Sequence, residues 1–267
     1  MLAACPHAPT TEPTISMTST LAIDCGGSAI KGSVLDALGT MRVPKVRVAT
    51  PYPLSPHHFL ELIAEIADGL PPAQRATVGI PGMIRHGVVV TTPHYITARG
   101  PFTRIDEGLQ AAWTGFDARA ALTKRLGMPT LVLNDAEVHG AGVVAGTGLE
   151  LVLTLGTGLG AAMFDGGRLA PHLEWSQAPV RRGVTYDMYL GDKERKRVGD
   201  SIWSRRVRQT IDDLRPVFGW DRVYLGGGNA RRLRPSQVIK LGSDVVIVPN
   251  DAGVAGGVRA WTLGEPA

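Results

Sequence analysis

The stretch "LAIDCGGSAIKGSVLD", Leu21 to Asp36, decides how the whole chain is read. Two apolar runs are interrupted by an aspartate, two adjacent glycines and a serine, with a lysine close behind. "TLAID" has the make-up of a buried strand and "IKGSVLD" that of its antiparallel partner, so the glycines mark the turn of a hairpin. Such a turn offers successive backbone N–H groups in a concave nest, and glycine lets phosphate oxygens approach them closely. Ser28 adds a hydroxyl donor and Lys31 a cation. Asp24, at the strand end, suits a Mg²⁺ ion held through water. A Gly-Gly hairpin can also be plain packing, so the rest of the chain is the test.

The form recurs. "ELVLTLGTGLGAAMFDGG", Glu150 to Gly167, is again strand, Gly-rich turn with a hydroxyl residue, strand and turn. Two such hairpins predict an internal duplication, with two similar lobes facing one another. Gly156, Gly158 and Ala161 also satisfy G-x-G-x-x-A, the dinucleotide fingerprint. That fingerprint must open a helix and meet an acidic residue about 20 positions on. "AAMFDGG" is a short apolar run ended by a turn, so a hairpin is expected and a dinucleotide oxidoreductase is the weaker reading. No Gly-Lys-Ser/Thr follows a Gly-rich loop, so a Walker A site is excluded.

Three further stretches carry chemistry. "LVLNDAEVHG" puts Asn134 and Asp135 just beyond a buried strand, where active-site residues of α/β sheets collect. An aspartate there can take a proton from a hydroxyl, and asparagine can hydrogen-bond another; the plainer role for Asp135 is a helix cap. "YLGGGN", Tyr224 to Asn229, runs a strand into three glycines, a flat backbone for a base or sugar, or an ordinary helix entry. Glu174 is one carboxylate in the Trp-containing loop "HLEWSQAP". His57, His58 and His139 have no partner at metal-ligand spacing and read as structural or surface residues.

With 267 residues and 44% hydrophobic content, the chain can bury one large core or two intimate ones. The charge of +4 is uneven: 15 Lys and Arg stand against 7 Asp and Glu between Arg181 and Lys240. That excess points to a polyanionic, phosphate-rich ligand, or to a solvated basic face. Two cysteines, Cys5 and Cys25, make neither a disulfide framework nor a zinc knuckle, so a reducing, cytoplasmic compartment is expected. "LAAC" lacks the basic start and apolar run of a lipoprotein signal, and no stretch reaches the ~20 apolar residues of a membrane span. Residues 1–19 are Pro/Thr-rich and expected to be a disordered tail, with Met17 as an alternative start.

Between the motifs, "TMRVPKVRVAT" alternates as a half-exposed third strand, and Ser55-Pro56 caps a helix through "HHFLELIAEIADGL". "ATVGIPG" and "GVVVTT" read as short strands, 93–116 as an irregular loop, and a helix from Asp117 ends at Gly127. A basic helix is expected from Gly199 to Phe218, and a final helix over "DAGVAGGVRAWTL". Strand hairpins mixed with helical crossovers make an α/β fold.

Taken in order, these motifs resemble the sugar kinases of the repressor, open-reading-frame and kinase (ROK) family, in the actin-like ATPase superfamily, with polyphosphate glucokinases as the most similar subgroup. "IDCGGSAIKG" is similar to the first phosphate motif, "VGIPGMI" (with Gly82) to the sugar-side loop, and "LNDAE" to the catalytic Asn-Asp. "LTLGTGLGAAMFDGG" is similar to the second phosphate motif and "VYLGGGNAR" to the nucleotide-side glycines. The resemblance implies a two-lobed, ribonuclease H-like fold with a central cleft. It divides the chain into a lobe over 20–130, on which a helix over 251–264 packs, and a lobe over 131–250.

The same resemblance implies transfer of a phosphoryl group from polyphosphate, ATP or both to a glucose-like hexose. Asp135 would be the general base, with Asn134, Glu174, Gln177 and Gly82 at the sugar. Asp24, Gly26, Gly27, Ser28, Lys31, Thr157, Gly158, Gly227 and Gly228 would lie around the phosphates or nucleotide, with Mg²⁺ near Asp24. The chain departs from the family at Glu-x-Gly-His, where Gln177 replaces the His, and it lacks the cysteine-rich loop, so no structural zinc is implied. The expected partners are the sugar and the phosphoryl donor, with no nucleic acid or membrane; a homodimer is compatible with the family. A sugar-binding regulator of the family is the alternative, but nineteen residues before the first strand leave no room for its DNA-binding helices.

Overall fold

The computed structural model describes residues 18–249 and 252–263. The expectations for the N-terminal tail, Cys5 and Met17 fall outside them.

The two hairpins each nucleate a five-stranded sheet. The first contains β1 (Thr20–Cys25), β2 (Ala29–Leu35), β3 (Val46–Ala49), β4 (Arg75–Ile80) and, later, β7 (Thr130–Asn134), in the order β3-β2-β1-β4-β7. β1–β2 and β2–β3 are antiparallel, whereas β1–β4 and β4–β7 are parallel. Helix α1 (Pro56–Asp68) crosses from β3 to β4. Ser55 caps it by accepting from the His58 N–H, and Pro56 opens it, as the sequence predicts. Its Phe59, Leu62, Ile63 and Ile66 pack on the sheet with the strand residues Ile23, Ile30 and Val78.

A small hairpin, β5 (Met83–Arg85) and β6 (Val88–Thr91), follows β4. The segment expected to be irregular contains helix α2 (Glu107–Trp113), capped by Asp106 through the Leu109 N–H. Seven residues are too few for a clear helical period, so the helix was not legible. Trp113 is fully buried against Phe59 and Tyr95. Helix α3 (Ala118–Leu126) ends on Gly127 in the left-handed conformation.

Helix α4 (Asp135–Val143) leads to the second sheet: β8 (Leu149–Leu155), β9 (Leu159–Asp165), β10 (Arg168–Leu169), β13 (Arg222–Gly226) and β14 (Val245–Ile247). Its order, β10-β9-β8-β13-β14, and its strand directions repeat the first sheet. The duplication is therefore one of topology, not only of motif. Between β10 and β13 lie a minor hairpin, β11 (Pro179–Arg181) with β12 (Val184–Thr185), and the helices α5 (Tyr186–Leu190) and α6 (Asp192–Phe218). Gly199 breaks α6 with φ 81° and ψ 156°, so the basic helix expected from Gly199 to Phe218 is its second segment, preceded by a shorter one from Asp192. Trp203, Val207, Ile211 and Leu214 bury its apolar face against Leu151, Leu153 and Val223.

The short helix α7 (Pro235–Val238) precedes β14. The final helix appears as a 3₁₀ turn over Ala252–Ala255 followed by α8 (Gly256–Arg259). It packs on β1 and β4, where Thr77 Oγ1 donates to the Gly257 carbonyl and Trp261 Nε1 donates to Thr77 Oγ1. Helix α4 lies against both sheets, touching β4, β8 and β9. No helix among the described residues is long and apolar enough to cross a membrane.

Candidate active site

The two hairpin turns meet. Ser28 Oγ and Thr157 Oγ1 stand 3.2 Å apart, although 129 positions separate them in the chain. The turns form one wall of a cleft of roughly 330 Å³ between the two sheets. Gly26, Gly27, Ser28, Gly156, Thr157 and Gly158 line it, with Gly227 and Gly228 at the end of β13.

Each turn is held from behind. Thr50 Oγ1 donates to the Gly26 carbonyl and Tyr52 Oη to the Gly27 carbonyl, while the Gly26 N–H closes the turn on the Ala29 carbonyl at 3.0 Å. In the second turn Asn229 Nδ2 donates to the Gly156 carbonyl, and Asp187 Oδ1 accepts from the Leu159 N–H at 2.7 Å. A Cβ on Gly158 would lie 1.8 Å from that Asp187 oxygen, so only glycine fits.

Asp135 is the first residue of α4 and faces the cleft floor. Asn134, not Asp135, caps the helix: its Oδ1 accepts from the Ala136 N–H, and Glu137 completes a capping box by accepting from the Asn134 N–H. Burial, with the nearby Asp24 and Glu174 carboxylates, pushes the Asp135 pKa up to about 7, against the Ala136 N–H and His172, which pull it down.

Asn134, expected at the sugar, is held from the neighbouring loop. Its side chain is 3% exposed, its Nδ2 donates to the Gly82 carbonyl, and it does not line the cleft. It anchors the loop after β4. Gly82 itself does line the cleft, at φ 114°, where a Cβ would collide with the Thr91 carbonyl.

Beside Asp135, the cleft is closed by Glu174, Ser176, Gln177, Asp187 and His94. Glu174 accepts from Ser176 Oγ and lies 3.3 Å from His172 Nε2; His172 Nδ1 is 3.0 Å from Glu137 Oε1. Burial opposes charge on His172, but hydrogen bonds to the two glutamates prevail and lift its pKa to about 9. Burial likewise opposes charge on Glu174, and His172 and Ser176 overcome it, so Glu174 stays ionised. His172 is thus a cation clamped between carboxylates, tying the start of α4 to the Glu174 loop. Burial pushes the Asp187 carboxyl up and keeps His94 neutral.

His172, Asp187 and His94 were not singled out in the sequence. None belongs to a short pattern; they converge from segments 93 residues apart at the extremes, Asp187 from α5 and His94 from the loop after β6. His139 was read as structural, yet it lines the cleft one turn after Asp135, with Nε2 unpartnered. His57 and His58 are on the surface, as expected.

Asp24 and Lys31 pair at 2.9 Å on the cleft wall. Among the described residues no cluster of three His, Cys, Asp or Glu forms a metal cage. A lone carboxylate fits Mg²⁺ shared with substrate phosphates rather than a closed protein site. The basic excess of 181–240 is placed elsewhere. No Lys or Arg of that segment lines the cleft, and Arg195, Lys196, Arg197, Arg206, Arg208 and Arg215 pair with acidic residues of the same segment or with Asp244.

The ROK family model matches residues 20–171, from the first hairpin through β10. The chain belongs to the ROK family. Over 254 residues it is 28% identical to the polyphosphate glucokinase of Mycobacterium tuberculosis, covering 89% of each chain, and 26% identical to that of Mycobacterium leprae, covering 90% of this chain and 74% of that one. The inorganic polyphosphate/ATP-glucomannokinase of Arthrobacter sp. strain KM superposes with a TM-score of 0.75 at 29% identity, over 92% of this chain and 99% of that one. The ROK glucokinase of Streptomyces griseus, solved with glucose and AMPPNP, shares the fold at a TM-score of 0.68 and 19% identity, over 92% of this chain and all of that one. The α/β fold with duplicated hairpins, expected from the motifs, is the fold of this ROK chain.

Proposed function

We propose that this ROK chain is a hexose kinase that moves a phosphoryl group from inorganic polyphosphate or ATP to a hydroxyl of a glucose-like sugar. One observation carries the reading: a near-neutral carboxylate, Asp135, faces the cleft that two glycine turns close from separate sheets. The relatives' polyphosphate and glucose chemistry supports the substrate classes.

The sugar lies against Glu174, Gln177 and Asp187, whose acceptors match several hydroxyls at once. Glu137 and His172 hold Glu174 in place from behind, and Asn134 holds the Gly82 loop. The donor's terminal phosphate lies under the N–H groups of Gly27–Ser28 and Thr157–Gly158. Asp135 takes the proton of the attacking hydroxyl. The new O–P bond forms as the bond from phosphorus to the rest of the donor breaks, leaving ADP or a polyphosphate one unit shorter. The protein contributes position and charge stabilisation, which is most of the catalysis in phosphoryl transfer. Mg²⁺, when bound, neutralises donor charge, and Asp24 is the residue that would hold it through water. Gly227 and Gly228 leave a flat surface for a nucleotide base on the second sheet.

The test is a mass-spectrometric screen of hexoses with Mg²⁺ and either ATP or polyphosphate. A hexose monophosphate formed with at least one donor is expected. Sugar binding with no transfer from either donor would instead make the chain a sugar-binding regulator.

A further inference from the structure

The cations that line the cleft are not those the sequence pointed to. They are Lys31, Lys45 and Arg47, on and beside the first two hairpin partners, β2 and β3. In the ladder Arg47 stands opposite Lys31, and Lys31 opposite Asp24. Directly paired residues point to the same face of a sheet, and so do residues two apart on one strand. Asp24, Lys31 and Arg47 therefore form one row across three strands. Lys45, the residue just before β3, also lines the cleft, as do Ser33 and Ala22.

The row is unbalanced in charge. Lys31 is neutralised by Asp24 at 2.9 Å. Lys45 and Arg47 are exposed and have no ion pair or hydrogen bond among the described residues, in contrast to the paired arginines of α6. Strands lie about 4.8 Å apart, so the row runs roughly 10 Å from Asp24 to β3. β3 is the edge of its sheet, so the row leads out of the cleft into solvent. A single terminal phosphate under the glycine turns cannot reach so far. A longer polyanion can, and a chain of like charges is what uncompensated cations spaced along a strand attract.

We propose that Lys45 and Arg47 form a track for inorganic polyphosphate, carrying the part of the chain beyond the phosphates at the glycine turns. The proposal rests on the kinase reading above and makes it specific. Polyphosphate leaves the cleft over the first sheet, whereas a nucleoside would lie over Gly227 and Gly228 on the second. The two donors share the terminal phosphate site and diverge beyond it.

The experiment compares Lys45→Ala/Arg47→Ala with the unaltered chain, using long-chain polyphosphate, tripolyphosphate and ATP as donors. The KM for long-chain polyphosphate is expected to rise ten-fold or more and to lose most of its salt dependence, while the KM for ATP changes less than three-fold. The advantage of long chains over tripolyphosphate should shrink in the variant. Calorimetric titration of the protein with long-chain polyphosphate, without sugar, gives a reading independent of turnover and should show the same weakening. Equal changes for both donors, or an unchanged polyphosphate KM, would overturn the track. Turnover with ATP but not polyphosphate in the unaltered chain would overturn it and leave the kinase reading standing. Turnover with neither donor sinks the kinase reading; the titration then decides the track by itself.

Discussion

The two glycine hairpins share a backbone and differ in what surrounds it. The first turn is braced by neutral hydroxyls, Thr50 and Tyr52, and carries its charges, Asp24 and Lys31, on the cleft wall. The second has no charged pair of its own. It is braced by Asp187, a 5% exposed carboxylate that also borders the pocket beside Glu174 and Gln177. One turn therefore carries charge on the cleft wall, and the other is mechanically joined to the pocket of Glu174 and Gln177. Duplication supplied the same cradle twice, and the neighbouring side chains gave each a separate task.

The largest expected effect lies where the two halves meet. Asp135→Asn should lower kcat by about 10²–10⁴-fold with every donor, as general-base loss does, while the fold persists. A loss confined to one donor would place Asp135 with a single hairpin and break the comparison.

Next is pH. Activity needs ionised Asp135, so kcat/KM should fall about ten-fold per unit below pH about 7 and level off above it. Stability follows the opposite sign. The folded pKa is raised above the unfolded one, so the contribution of Asp135 is fully present at acid pH and is lost as pH rises through about 7. The Tm of Asp135→Asn should therefore gain on the unaltered chain between acid pH and pH about 8. A Tm difference that does not vary with pH would remove Asp135 as the perturbed group.

The asymmetry of the turns is tested by glycine replacements. Gly158→Ala must displace Asp187 and the Leu159 N–H bond, and overpacking of that kind costs about 1–3 kcal/mol. It should raise the KM of sugar and donor together. Gly156→Ala has nothing within 4 Å of the added Cβ and should change stability by less than about 0.5 kcal/mol. Equal melting temperatures for the two variants would show that Asp187 does not brace the turn.

The smallest expected effect is at the rim. Gln177→His exchanges a flexible amide for an imidazole on the acceptor side, so the sugar KM should shift more than the donor KM. A change in donor kinetics alone would move Gln177 from the sugar pocket to the phosphate side.

Much of this was legible because it depends on short-range chemistry. Glycine runs between β-forming residues can be little but tight turns, so both hairpins and the strand into Gly227 could be read directly from the chain. Asp135 was visible because it follows a buried strand at the point where a helix must begin. The helix caps Ser55, Asp117 and Gly127 were legible for the same local reason.

Other features depended on what the chain brings together. Charge along the sequence favoured residues 181–240, but none of that segment's Lys or Arg lines the cleft, and several arginines of α6 pair with its own acids. Lys45 and Arg47, two cations at and just before an unremarkable strand, gain their meaning from the fold, which sets Arg47 opposite Lys31 and brings both to the cleft. His172 is charged only because Glu137 and Glu174 flank it, and Asn134 leaves the cleft because Gly82 takes its amide. The sequence by itself determined the turns, the hairpin pairing they imply and the family. Only the tertiary structure decided which charges are free and which polar groups face the cleft. Turn formation is set by a residue and its neighbours, whereas the state of a polar side chain is set by whatever partner the fold delivers to it.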